Sequence, residues 1–400
     1  MSTRVNRQKT PGIARANQLE GTHSALALIL GPATEYHLRV RAARRLLKQG
    51  PEVLPLFLNT LSKHPEITVP AWPRWPPQYE HCSRLLIHLG QRARLSLMGM
   101  LHHPELSAPA GPVLWTSLVE AAGLMPYQNY EELLCQGLEM PWEGTRYSAA
   151  MALAMRARRV TLQGTSVERL CMHIGAEEAL PVRLTAAYTL LSCRKAAGLE
   201  TLLQFLDARE EEEARKAAVY MFATELPFQI TEAQREQLSL CLLQLLRDTN
   251  PDIAMHAAHA LSKIAWPTLM MPLSQMLGEK EVPVQVAVLI CMEEIARRDS
   301  MRDELQQSGL PTRILPLLRS ETVEVRRQAS YTLAACGGEY ALAALGTILL
   351  RQDHPGRLEA IESLRLVRGA LRPPTRIKIL RWLLQLLNST EEITQVTALD

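Results

Sequence analysis

The side chains of this 400-residue sequence with the means for metal or nucleophilic chemistry are eleven histidines and seven cysteines. His256 and His259 stand three apart, a spacing that puts both imidazoles on one helix face within reach of a single ion. A zinc site needs a third and fourth ligand, and no Cys, His or carboxylate follows at matched spacing. His256 also abuts the small pair Ala257–Ala258, which points to a packing surface. His81 and His88 share a face seven residues apart, and His102–His103 close a helix; neither pair has a partner constellation. Cys171-Met172-His173 offers a thiol beside an imidazole, but adjacent positions on a helix point apart, so no thiolate–imidazolium pair is expected. The cysteines form no C-x-x-C motif and are odd in number. Cys193 and Cys336 fall at helix-interior slots that want a small apolar side chain, so all are read as packing residues. G-x-G-x-x-G, the P-loop, H-E-x-x-H and G-x-S-x-G are absent. No catalytic residue, metal ligand or cofactor-binding residue is expected, and no cofactor.

Two other groupings suit recognition. Between His64 and Tyr79 the chain carries five prolines in sixteen residues. Proline fixes φ and removes a donor, so the segment reads as an extended insertion. It holds Trp72, Arg74, Trp75 and Tyr79, residue types enriched at interface hot spots. They serve either as a cover over a helix edge or as a grip on a partner. Basic residues cluster at 39–48 (Arg39, Arg41, Arg44, Arg45, Lys48), at 156–159 (Arg156, Arg158, Arg159) and at 357–381. The last cluster has seven basic residues against Glu359 and Glu362. Such clusters are either a solvated face or phosphate contacts.

What positions these residues is a repeated helix. Its template is an aliphatic residue at p, Arg at p+1, small residues at p+4 and p+5, and a large apolar residue at p+8. Val325, Arg326, Ala329, Ser330 and Leu333 show it. So do Val182, Arg183, Ala186, Ala187 and Leu190, and Leu38, Arg39, Ala42, Ala43 and Leu46. Thr145, Arg146, Ala149, Ala150 and Leu153 replace only the aliphatic residue. Ile253, Ala257, Ala258 and Leu261 lack only the arginine. Weaker copies are read from Glu213 (Ala217, Ala218, Met221), Val282 (Val286, Ala287, Ile290) and Gly356 (Arg357, Ala360, Ile361, Leu364). Degenerate ones start at Gln78 and Val113. On a 3.6-residue helix these positions share one face, and the small pair admits a neighbouring helix closely. Leucine-rich helices precede the copies, as in Leu310 to Leu318. Nine steps from Leu38 to Gly356 average about 35 residues, the period of helical-hairpin arrays.

In these V-R-x-x-A-A-x-x-L helices and their leucine-rich partners, the sequence resembles the HEAT-repeat family, including the HEAT-like repeats of the phycobilisome-lyase type. The resemblance covers roughly residues 24–388 and is weakest between 64 and 140. It implies an all-α fold, a right-handed α-solenoid of about ten hairpins. It also implies that Arg39, Arg146, Arg183, Arg326 and Arg357 form a structural ladder between neighbouring repeats; lining the groove is their alternative role. A solenoid grows without a central core, so length sets no domain count. The expected organisation is a disordered polar and basic lead over 1–21, irregular repeats over 22–140 with the Pro/Trp-rich insertion at 64–79, regular repeats over 141–388, and a frayed end over 389–400.

The function expected is a non-catalytic scaffold that binds a protein partner through the groove lined by the motif helices. Candidate contacts are Trp72, Arg74, Trp75, Tyr79, Arg146, Tyr147, His256, Arg327 and Tyr331. The second reading is nucleic-acid binding through the three basic clusters, for which the resemblance supplies a precedent in HEAT-like DNA glycosylases; the third is a bilin-lyase-like chaperone. A net charge of +3 gives no global field toward nucleic acid. Free thiols suggest a reducing cytoplasm. The first 21 residues lack the apolar core of a secretory signal, and no apolar run reaches the roughly 18 residues of a membrane span.

Overall fold

The computed structural model describes residues 11–67, 77–125, 127–175, 178–207, 211–224, 230–264, 269–298, 305, 309–367 and 373–386. Helix accounts for 77% of the described residues, and they contain no strand. None of the described helices is long and apolar enough to cross a membrane.

Ten helices carry the template: α2 (Tyr36–Gln49), α4 (Pro77–Ala93), α6 (Pro112–Leu124), α8 (Glu143–Ala157), α10 (Leu180–Ser192), α12 (Glu212–Thr224), α14 (Pro251–Ile264), α16 (Val282–Ala296), α18 (Val323–Cys336) and α20 (Arg357–Val367). Each follows a partner helix: α1 (Pro11–Leu30), α3 (Leu54–Lys63), α5 (Leu97–Leu101), α7 (Glu131–Leu138), α9 (Gly164–Met172), α11 (Ala196–Phe205), α13 (Glu232–Leu245), α15 (Met270–Met276), α17 (Leu310–Ile314) and α19 (Gly338–Leu349). A last helix, α21 (Pro373–Leu386), follows. The leucine-rich stretch expected over Leu310 to Leu318 is α17 plus a 3₁₀ turn, with Pro316 at the start of that turn.

Local chemistry sets the ends. Gly50, at φ +91°, ends α2, and Pro51 follows it. Thr231 and Gln234 close a reciprocal capping box at the start of α13. The lead expected to be disordered up to Gly21 is helical from Pro11. Gly21 does not break that helix: a Cβ there would lie 2.2 Å from the Arg45 guanidinium of α2, so the glycine is a contact point between the two helices. The insertion is likewise shorter than expected, because α4 begins at Pro77.

The chain forms two compact units, one reaching Leu202 and the other holding Leu203–Leu226 and the chain from Ile230 on. No division falls at the expected boundary near 140. There α8 packs on both α6 and α7, and Ser148 of α8 reaches Glu120 of α6. Within each unit successive motif helices pack side by side: α4, α6, α8 and α10 in the first, and α12, α14, α16, α18 and α20 in the second. The small slots sit at the crossings, where Ala149, Ala186, Ala257 and Ala329 are fully buried. Beside the slots, at p+7, the Thr189 and Thr332 hydroxyls donate to the helix carbonyls of Thr185 and Gln328.

The template register is corrected in two weak copies. In α12 the buried residues are Ala214, Ala218, Val219, Met221 and Phe222, with Ala217 only half-buried; Ala218 and Met221 are as expected. That copy therefore starts at Ala214, one residue later than expected, and Arg215 takes the arginine slot. In α16 Ala287 is buried as expected but Val286 and Ile290 are only half-buried, and the buried positions Val284, Val288, Leu289 and Met292 fit a register two residues later. Gln285 then occupies the arginine slot and donates to the carbonyl oxygens of Leu277 and Glu279 at 3.4 and 2.7 Å.

Candidate protein-interaction surface

The arginines at p+1 have two tasks, and the structure separates them. One is local. Arg39 donates to the carbonyls of Gly31 and Pro32 at 2.7 and 3.1 Å, Arg146 to Met140 at 2.9 Å, Arg326 to Ser320 at 2.9 Å, and Arg357 to Leu349 at 2.9 Å. Each guanidinium thus satisfies carbonyls at the end of the preceding helix or in the turn, which otherwise have no partner within a helix. The other task joins repeats. Arg146 grips Glu178 with two parallel bonds, Nε to Oε2 at 3.0 Å and Nη2 to Oε1 at 2.8 Å. Arg215 reaches Asp248 at 3.1 Å and Arg326 reaches Glu359 at 3.0 Å. In the copy that lacks its arginine, Arg247 of the preceding turn substitutes and reaches Glu279 at 3.1 Å.

These four pairs span 32 or 33 residues, one repeat each. The pairs at Arg146, Arg215 and Arg326 are nearly shielded from water, where bidentate or charge-assisted bonds are strongest. Burial pushes the Glu178 carboxyl up, but hydrogen bonds from Arg146, His173 and the Ala179 N–H outweigh it and hold it below the usual carboxylate range. The acidic half of the ladder went unread in the sequence; its signal was an acid one period after each arginine. Arg183 is half-buried.

The expected contact residues divide. Tyr147 is 1% exposed and cannot meet a partner. It points into the stack beside Glu120, and burial raises its hydroxyl pKa. Tyr79 is also 1% exposed. Its hydroxyl accepts from the Ile67 N–H at 3.0 Å and donates to the Ile67 carbonyl at 3.1 Å, so it clamps the chain entering the insertion. Arg146 is committed to Glu178. Trp72, Arg74 and Trp75 lie outside the described residues.

His256, Arg327 and Tyr331 do reach the surface, and all three lie in the second unit. Here the outward sides of successive motif helices form one row. Lys216 of α12 pairs with Asp252 of α14 at 3.0 Å, and the Tyr220 ring meets His256 edge-on with centroids 5.0 Å apart. His259 of α14 faces Glu294 of α16 at 3.2 Å. Gln328 of α18 bonds Glu293 of α16. Tyr331 donates to Glu362 of α20 at 3.4 Å, with Arg327 3.9 Å from the same carboxylate. Tyr220 and Glu294 belong to this row and were missed, because their repeats are the two whose register was misread.

The remaining chemical candidates are accounted for by neighbours. His256 Nδ1 lies 2.6 Å from the Asp252 carbonyl, and His173 Nδ1 lies 2.7 Å from Glu178, away from Cys171. No group of three or more metal-ligating side chains occurs among the described residues. The basic clusters lose members to internal bonds: Arg39 and Arg357 to carbonyls, and Arg156 to Glu131 at 3.1 Å and to the Gln128 carbonyl at 2.8 Å.

Paired helices in sequential stacks, tied one period apart by buried arginine–acid pairs, define a HEAT-type helical-repeat solenoid. Neither a family model nor a curated protein matches the sequence. Among solved structures the chain is similar to importin beta in an ammonium sulfate condition, with 14% identity over 98% of this chain, 59% of that one, and a TM-score of 0.57. It therefore spans less than two thirds of that chain. It is also similar to an engineered protein (18% identity, 95% of this chain and 97% of that one, TM-score 0.37) and to Kap121p (15%, 95% and 48%, TM-score 0.45). The likeness to importin beta concerns the fold alone.

Proposed function

We propose that this chain is a non-catalytic scaffold that binds a protein partner along the outward row of motif helices in its second unit. The observation that carries this reading is the continuity of that row. Five successive motif helices present Lys216, Tyr220, His256, His259, Glu294, Arg327, Tyr331 and Glu362 at the surface, each in contact with a neighbouring repeat. Side chains fixed in this way lose little freedom on binding, which is what preorganised recognition requires. Tyr and Arg are also the types that anchor interfaces. Inward of the row the helices are fully packed, so the polar side is the one left for recognition.

A photo-crosslinking residue at position 331, compared with one at the exposed Leu240 of partner helix α13, tests this. The expected result is a saturable protein adduct from 331 and none from 240. Equal labelling from both positions, or none from 331, refutes it.

A further inference from the structure

Helix α21 exposes Ile377, Leu380 and Leu384, each by more than half. Among the described residues no other helix shows more than one large apolar side chain in this way. The helix is held by its other side. Ile379 and Leu386 are buried, and Trp382 packs on Gly346 of α19, where an added Cβ would lie 2.4 Å from the indole. The three exposed aliphatics therefore form a second face, which the stack of hairpins does not use.

Their spacing is i, i+3 and i+7, the a, d, a seam of a heptad. In that register Arg376 falls at g and Arg381 at e, the two positions that flank a seam and set its choice of partner. We propose that this seam pairs, in coiled-coil fashion, with a helix of a protein partner that carries aliphatic residues at a and d and Asp or Glu at e and g. The inference goes beyond the outward row, since it gives the chain a separate surface and that surface a partner of stated chemistry.

Charge selects this occupant. Helix α21 holds three basic residues and no acid. Lys378 lies 5.5 Å over the Trp382 ring, and Arg381 has no charged partner among the described residues. A second copy of the same helix would set arginine against arginine, and like charges across a seam oppose pairing. An acidic helix meets the same positions with opposite charge. A bilayer surface suits the face less well. The stripe has the width of a coiled-coil seam, narrower than the apolar face of a helix lying in a membrane interface. Trp382, the residue type that anchors at such interfaces, is turned to Gly346 instead.

The probe is a fluorescein-labelled peptide of three heptads with Ile at a, Leu at d and Glu at e and g; its twin has Lys at e and g. Anisotropy titrations against the intact chain should show saturable binding of the acidic peptide and none of the basic one. Leu380→Glu should weaken the acidic peptide at least about tenfold, as loss of a central anchor does. Leu240→Glu makes the same change at an exposed leucine of α13 and should leave binding unaltered. Arg381→Glu should weaken the acidic peptide and admit the basic one, an inversion that loss of fold would not produce. Because the intact chain is used, a seam closed by the chain's own residues after Leu386 gives no binding, and that result overturns the proposal. So do equal loss in Leu240→Glu, undiminished binding to Leu380→Glu, the absence of inversion in Arg381→Glu, and either binding to phosphatidylserine vesicles or self-association that Leu380→Glu abolishes. The crosslinking result at position 331 is read separately, so a failed seam leaves the outward row standing and a failed row leaves the seam.

Discussion

Glu120 offers the sharpest quantitative check on the packing. It lies in α6, is 0% exposed, and is enclosed by α4 and α8. Ser83 Oγ sits 2.8 Å from both the Tyr79 carbonyl and Glu120 Oε2, and a serine has one proton to give. Ser83 therefore divides its one proton between that carbonyl and the carboxyl, and a carboxylate at Glu120 would receive less than a full hydrogen bond from it. Burial agrees: it pushes the Glu120 pKa well above the ordinary value, outweighing the hydrogen bonds of Ser83 and Ser148. A raised folded pKa costs about 1.4 kcal/mol for each pH unit between the ordinary value of 4.5 and the point where the folded group ionises, so the cost at pH 7 is at most about 3 kcal/mol. Glu120→Gln imitates the protonated acid in shape and can donate to Ser83, without that cost. The sign follows from linkage. A raised folded pKa gives a contribution that is complete below pH 4.5 and is lost as pH rises through the folded value. Urea melts of wild type and variant should therefore coincide near pH 4.5 and diverge upward, with the variant ahead by up to about 3 kcal/mol at pH 7. A gap independent of pH, or a variant less stable at pH 7, would show that the carboxylate is charged and satisfied, and the argument from Ser83 would fail.

Other outcomes follow from the same structure. Arg146→Ala should cost roughly 1–3 kcal/mol, because Glu178 loses its bidentate partner but keeps His173 and the Ala179 N–H, and a double-mutant cycle with Glu178→Ala should recover part of it; additive losses would remove the rung. Because Glu178 is held below its ordinary pKa, that rung's contribution is present above pH 4.5 and fades as pH falls, which acid melts of wild type and the double variant can read. Ala186→Leu and Ala329→Leu overpack closed crossings and should cost about 1–3 kcal/mol, while Glu324→Leu on the exposed side of α18 should be near neutral in thermal melts. Gly198→Ala would set a Cβ 2.4 Å from the Leu191 nitrogen and 2.5 Å from the Ala187 carbonyl, so a drop in urea midpoint is expected; an unchanged midpoint would mean that α10 and α11 separate easily.

The repeat was legible wherever a residue type could occupy only one slot. Copies with arginine at p+1, such as those at Val182 and Val325, were placed correctly because arginine marks the seam. Around α12 the alanines at 217 and 218 fit two registers, and only Arg215 with its distant acid decides between them. Along α16 almost every position is apolar, so periodicity carried no phase. Burial of Tyr147 and Tyr79 was also illegible: a tyrosine looks the same in sequence whether its hydroxyl meets water or a carbonyl. The outward row was half visible, through His256, Arg327 and Tyr331.

The ladder bears on how such a chain can change length. Each rung takes its arginine from one hairpin and its acid from the next, and the spacing stays at 32 or 33 residues. A tandem copy of one whole period brings a donor and an acceptor together, so the new seam is fastened as the old ones are. Growth by duplication then demands no fresh packing solution, only repetition of one already present. An insertion of a few residues enjoys no such protection, because it pulls one guanidinium out of step with its acid. Inheritance in whole modules is the freedom this architecture allows, and the α16 copy, where Gln285 stands in for arginine, shows that a module can outlive its own fastening.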